Sequence, residues 1–219
     1  MKPELFQLIL PSTWESLYMT LISAALAYVA GLPLGILLVV TDKNGIRPMP
    51  ALNTVLGTIV NLLRSVPFLI LFIALRDVTS AIVGKAYGAR AVIVALFVAA
   101  APFIARMVES SLKEVDPGVI EASQSMGANT MQIICKVLLP EARASLLVGA
   151  AISITTILGY SAMAGIVGGG GLGAVAINYG YYRNETVMMW IMIVILVAIV
   201  QVFQEAGLYL SRVVDKRIR

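Results

Sequence analysis

Glu114-Val-Asp-Pro-Gly-Val-Ile-Glu-Ala-Ser-Gln-Ser-Met-Gly-Ala-Asn-Thr-Met-Gln-Ile-Ile-Cys-Lys-Val-Leu-Leu-Pro140 is too polar to cross a membrane, and it separates two long apolar runs. Asp116 followed by Pro117 reads as a helix start, an N-cap acceptor before a residue whose missing N–H would be orphaned there anyway. The pattern predicts a short helix from Pro117 to about Met126, stopped by Gly127, since glycine accepts the left-handed conformation of a C-terminal cap. Asn129 with Gln132 three residues on resembles a capping box. A second helix is expected to carry Met131, Ile134, Val137 and Leu138 on one side, with Pro140 turning the chain into the next apolar run. The loop is therefore a helix–glycine–helix hairpin. A rigid short helix transmits a displacement, whereas a slack linker absorbs it.

Outward from this hairpin the chain reads as five transmembrane helices, at about 17–40, 52–75, 87–108, 144–167 and 186–208, with the loop 114–140 between the third and fourth. Each supplies close to the ~20 residues that cross a core of about 30 Å. Composition agrees: the 219 residues are 59% hydrophobic and 13% charged, with a mean hydropathy of +0.92. Soluble domains carry roughly 25% charged residues. No internal repeat or flexible linker is visible, so residues 1–219 are expected to form a single all-α membrane domain.

Residues 1–16, with Lys2, Glu4 and Glu15 around a short apolar patch, do not read as a cleavable signal. An odd number of spans puts the termini on opposite sides. With the N-terminus outside, the cytoplasmic cations are Lys43, Arg47, Arg106, Lys113, Lys136, Arg143, Arg212, Lys216, Arg217 and Arg219. The outer ones are then Lys2, Arg76, Lys85, Arg90 and Arg183, half as many, which favours N-out and C-in.

The absences are informative as well. There is no histidine and one cysteine, Cys135, which excludes disulfide frameworks, zinc clusters and histidine-based acid–base chemistry. The formal net charge of +4 forms no basic stripe, so nucleic acid is not an expected partner. Gly168-Gly-Gly-Gly-Leu-Gly173 has no Lys-Ser or Lys-Thr after it and no strand before it, so it is a turn after the fourth span rather than a phosphate loop. Without a Walker sequence this chain does not hydrolyse ATP itself.

The spacing Glu121-Ala122-Ser123, three residues, Gly127, nine residues, Val137, one residue, Leu139-Pro140 resembles the EAA motif of ABC importer permeases: Glu-Ala-Ala, Gly, Ile, Leu-Pro at the same intervals. Ser123 and Val137 are conservative departures. Arg64-Ser-Val-Pro67, the run Ala101–Glu109, Lys136–Ala142, Gly159-Tyr-Ser-Ala-Met-Ala-Gly165 and the glycine run are similar to methionine importer permeases. The resemblance implies a type I importer permease of the bacterial inner membrane. It implies a homodimer working by alternating access with two ATPase subunits, which bind the ATP and magnesium, and an outer substrate-binding protein. Methionine, L and D, is the implied cargo; another small amino acid is the alternative. The implied ATPase-coupling residues are Glu121, Ala122, Ser123, Met126, Gly127, Ala128, Val137, Leu139 and Pro140.

Two competing functions fit the residues less well. A secondary transporter commonly carries ionisable residues within its spans and paired repeats; here the fourth span, and the fifth from Thr186 to about Gln204, are charge-free. An intramembrane enzyme needs a nucleophile–base pair, a carboxylate pair or metal ligands within the spans.

Several positions stay open at this level. Gly31, Pro33 and Gly35 are expected to break up the first span, serving helix packing or a hinge. Arg64 lies within the second apolar segment, where a charge costs roughly 2.5–3.5 kcal/mol on insertion scales, unless Pro67 starts the true span and leaves Arg64 at its edge. Met163, with Tyr160 and Ser161, is either core packing or an apolar gate between two copies, a role methionine suits by filling irregular gaps. Tyr179, Tyr181 and Tyr182 read as an interfacial aromatic belt, and Cys135 as a packing residue of the second hairpin helix.

Overall fold

The computed structural model describes residues 3–215, with the side chains of residues 3–6 left aside. The expected terminal cations Lys2, Lys216, Arg217 and Arg219 lie outside the described residues. All regular secondary structure among the described residues is helical, with no strand among them. Helix α1 covers Pro3–Val40, α2 Pro50–Ser65, α3 Phe68–Ala74, α4 Arg76–Val83 and α5 Ala89–Lys113. Next come α6 (Pro117–Ser125), α7 (Thr130–Ile133), a π-helical turn (Ile134–Leu138) and α8 (Leu139–Glu141). Helices α9 (Arg143–Ala164), α10 (Gly171–Val175) and α11 (Thr186–Val214) complete the chain.

Among the described residues four helices are long and apolar enough to cross a membrane, and a fifth span results when α2 and α3 are taken together. That pair is bent by 96°, because Pro67 has no N–H to continue the α2 ladder. The second span expected at about 52–75 is thus a broken one, parted at Pro67. The first span differs the other way: α1 runs unbroken for 38 residues through Pro33 and both glycines, and begins well before position 17.

The residue contacts divide the chain into two compact units, one of Met1–Ala27, Val66–Ala100 and Ser153–Gln204, the other of Tyr28–Ser65, Ala101–Ile152 and Glu205–Arg219. In the second unit Gly31 and Gly35 explain why α1 needs small residues. A Cβ on Gly31 would stand 2.7 Å from the carbonyl oxygen of Ala101, and one on Gly35 2.6 Å from that of Ala105. The glycines let α1 lie directly on α5, which is the packing reading rather than the hinge.

In the first unit, Leu172, Val175, Ala176, Met188 and Met192 form a buried cluster that joins α10, the turn after it and α11. The glycine run is only partly a turn: Gly168 and Gly170 take left-handed φ of 81° and 84°, and Gly171 already opens α10. The Glu15 carboxylate accepts from the Gly171 N–H at 2.7 Å and the Ser16 hydroxyl from that of Leu172 at 2.9 Å, capping α10 from α1. Tyr181 and Tyr182 are exposed, whereas Tyr179 packs on the buried cluster with the Arg183 guanidinium 4.3 Å over its ring.

Candidate functional site

The hairpin forms where its local signals place it. The Asp116 carboxylate accepts from the Gly118 N–H at 2.7 Å and Pro117 opens α6. Helix α6 closes at Met126, with Gly127 at φ +82°. The Ala128 N–H then bonds the Ser123 carbonyl at 3.1 Å, folding the chain back. Asn129 and Gln132 exchange both capping-box bonds at 2.9 Å.

The second limb departs from a plain α-helix. Pro140 cannot donate to Lys136, and its ring would collide with that carbonyl in a regular helix. The turn before it widens into the π-helix, where the Leu139 N–H reaches Ile134. The chain remains helical through Pro140 and bends at Ala142 before α9, so the expected turn at Pro140 lies two residues later. The face differs too. Ile133 and Leu138 are the buried residues, while Met131 is exposed. Cys135, expected as a packing residue, is also exposed, its Sγ 3.8 Å from the sulfur of Met131 four residues back on the same exposed face.

Among the nominated coupling residues, Glu121 and Ala122 are exposed, as are Met126, Gly127 and Pro140; Ala128, Val137 and Leu139 are half-buried. Ser123 is buried, its hydroxyl donating to the Val119 carbonyl at 2.8 Å. Its small size therefore serves the packing of the hairpin itself. A cleft lined by Ser123, Met126, Gly127, Ala128, Gln132 and Val137 joins the two limbs. The Glu121 carboxylate makes no hydrogen bond or ion pair with any described residue. It lines a cavity of about 550 Å³ that also borders Asp42, Lys43, Asn44, Gly45, Lys113 and Gln124.

Behind the hairpin stands a ladder of charges that the sequence reading did not assemble. Arg106 pairs with Glu109 and donates to the Gly57 carbonyl at 3.0 Å and to Asn61 at 2.9 Å. Glu109, itself buried, also pairs with Lys113 at 2.9 Å, and Lys113 pairs with Asp42 at 2.9 Å. The hydrogen bond from Lys113 holds the Asp42 carboxyl below its ordinary value of 3.8. The sequence carried part of the signal, since Arg106, Glu109 and Lys113 recur at helical spacing on one face. The partners on α1 and α2 come only with the tertiary fold. The ladder fixes the α1 end, α2 and α5 as one piece beside α6.

The nominated pathway residues separate. Ser161 is buried and donates to the Leu158 carbonyl at 2.8 Å. Tyr160 is half-buried and stacks on Phe68, ring centroids 5.0 Å apart. Met163 is exposed, as is Gly159 one turn earlier on α9, where a Cβ would meet open space. No group of three or more His, Cys, Asp or Glu able to hold a metal occurs among the described residues.

Comparison with known proteins identifies the arrangement. Residues 31–219 match the family described as binding-protein-dependent transport system inner membrane component. The chain is 49% identical to the probable D-methionine transport system permease protein MetI of Vibrio cholerae, over 96% of this chain and 93% of that protein. It is 44% identical to the methionine import system permease protein MetP of Bacillus subtilis, over 94% of this chain and 93% of that protein. A chain of the MetNI methionine ABC transporter, solved in inward-facing conformations, superposes with a TM-score of 0.97 at 45% identity, covering 99% of this chain and 100% of that one. With its all-helical fold, its apolar spans and this match over most of its length, the chain belongs to the family of inner membrane permease components of binding-protein-dependent ABC importers.

Proposed function

We propose that this chain is the permease of an ATP-driven methionine importer, working as two copies with two ATPase subunits and an outer substrate-binding protein, its N-terminus outside and its C-terminus cytoplasmic. The observation that carries the coupling role is α6: a short helix capped at both ends, exposed, with a Glu121 carboxylate left free of intrachain partners. Such a helix offers an external groove a rigid body and a charge-assisted contact. The names of the relatives supply the cargo.

In this reading residues 1–219 act as one permease domain. Closure of the ATPases draws the two α6 helices together. The displacement passes through Ala128, Val137, Leu139 and Pro140 into α9, and the Asp42–Lys113–Glu109–Arg106 ladder carries α1, α2 and α5 with it. Met163 of the two copies closes the pathway while Tyr160 and Ser161 hold its helix in register. Hydrolysis resets the inward state.

Reconstitution in liposomes with and without the ATPase, followed by uptake of labelled methionine, tests the reading. Uptake should require ATP, the ATPase and the binding protein, and Glu121→Ala should lower uptake per ATP. Proton- or sodium-driven uptake by this chain alone overturns it. Uptake of another amino acid with methionine excluded overturns the cargo while leaving the importer.

A further inference from the structure

Arg64 sits in the last turn of α2, just before the chain breaks at Val66–Pro67. Its guanidinium stands 5.9 Å from the centroid of the Phe103 ring. It makes no hydrogen bond or ion pair with any described residue, and its side chain is exposed. Nearby Arg106, by contrast, is held by Glu109, Gly57 and Asn61.

Phe103 gives the depth. It stands about 21 Å along α5 from Ala89 and about 15 Å from Lys113, at about 1.5 Å per residue. Along α2, Arg64 is about 21 Å from Pro50 by the same rise. Asn61, which Arg106 holds, lies three residues before Arg64 on α2, and Arg106 lies three residues after Phe103 on α5, so the guanidinium stands about one helical turn, ~4.5 Å, beyond the charge ladder into the apolar part of both helices.

A permanent cation in an apolar segment without a counter-charge is costly, and such residues mark substrate or ion paths. The interrupted helix beside it agrees, because irregular backbone at membrane depth is tolerated where it is buried or lines a cavity. The guanidinium fork matches a carboxylate with two parallel bonds, and an aromatic face beneath it keeps the plane oriented. We infer that Arg64 is a transient subsite of the pathway that receives the carboxylate of the passing amino acid, with Phe103 as the platform that aims it. The inference rests on the amino-acid importer reading above.

The test uses the full complex with ATPase and binding protein in liposomes, comparing wild type, Arg64→Gln and Arg64→Lys. Arg64→Gln should keep binding-protein-stimulated ATP hydrolysis within twofold of wild type while delivering at least tenfold less methionine per ATP; Arg64→Lys should recover a third or more of the delivery. In complexes carrying guanidino-15N arginine and [1-13C]methionine, the carboxyl-to-guanidinium dipolar coupling should fall in Arg64→Gln. Delivery by Arg64→Gln within twofold of wild type overturns the subsite. So does parallel loss of hydrolysis and delivery, which marks a structural or headgroup role, or an unchanged dipolar coupling. A wild type that imports no methionine overturns the function above, and the subsite with it.

Discussion

Replacing Glu109 by glutamine keeps the side-chain volume and one acceptor, but removes the charge that two cations share. Lys113 is half exposed and retains Asp42, so its share is that of a surface pair, about 0–1 kcal/mol. Arg106 matters more. Its side chain is 24% exposed and keeps Gly57 and Asn61, yet loses its anion. Breaking a fully buried pair costs about 3–5 kcal/mol, and the remaining partners and partial exposure reduce that to about 2 kcal/mol here.

The sum for Glu109→Gln is about 2–3 kcal/mol, which at about 2–4 °C per kcal/mol for a chain of this size lowers the midpoint by about 4–12 °C. Purified protein in detergent, heated and read by the fraction remaining monodisperse on size exclusion, gives the shift. Lys113→Ala should move it by no more than about 4 °C. The double variant Arg106→Gln/Glu109→Gln should be less destabilised than the two single losses added together, because no cation is stranded. A Glu109→Gln shift below about 2 °C, or a Lys113→Ala shift equal to it, would refute the view that the ladder locks α2 to α5 through Arg106.

Asp42 supplies a pH signature. Its carboxyl is depressed by the Lys113 bond, so the stabilisation is full above the ordinary value of 3.8 and is lost as pH falls through the lower folded value. Wild type should therefore exceed Asp42→Asn in melting midpoint at pH 6 and lose that margin below pH 3.8; a margin constant down to pH 3 sinks the assignment. Gly127 sits at φ +82° with open space about it, so Gly127→Ala costs conformation rather than collision, about 1–2 kcal/mol, and Gly127→Asn less. Amide exchange in α6 and α7 should rise several-fold in Gly127→Ala and less in Gly127→Asn, and equal exchange in the two would show that the left-handed cap is not what holds the hairpin.

What was legible in the sequence was local. Asp116 with Pro117, Gly127 at the stop and Asn129 with Gln132 each act within one turn of chain, so spacing alone located the hairpin and its caps. The exposed face of the second limb was not legible, because the π turn before Pro140 changes the angular step from Met131 and Cys135, which are exposed, to Leu138, which is buried. Nor was the length of α1: its early residues hold the cap of α10 through Glu15, a contact across 156 positions of sequence. The ladder falls between these cases. Its α5 members share a visible helical face, while Asp42, Gly57 and Asn61 join only when α1 and α2 pack on α5.

The same bookkeeping of charge separates structural from functional groups in a chain this apolar. A charge costs little where water reaches it, so the free carboxylate of Glu121 on an exposed helix is unremarkable energetically and is available to a partner. Within the spans the sign of the argument changes. There an ionised group persists when it is neutralised, as Arg106 and Glu109 are, or when something outside the chain compensates it during the work the protein does. Arg64 belongs to the second case by its place in the apolar part of α2 beside Phe103 and its lack of any acidic partner among the described residues. The compensating group must then be mobile, because a resident anion would turn Arg64 into another fixed rung and close the path to cargo.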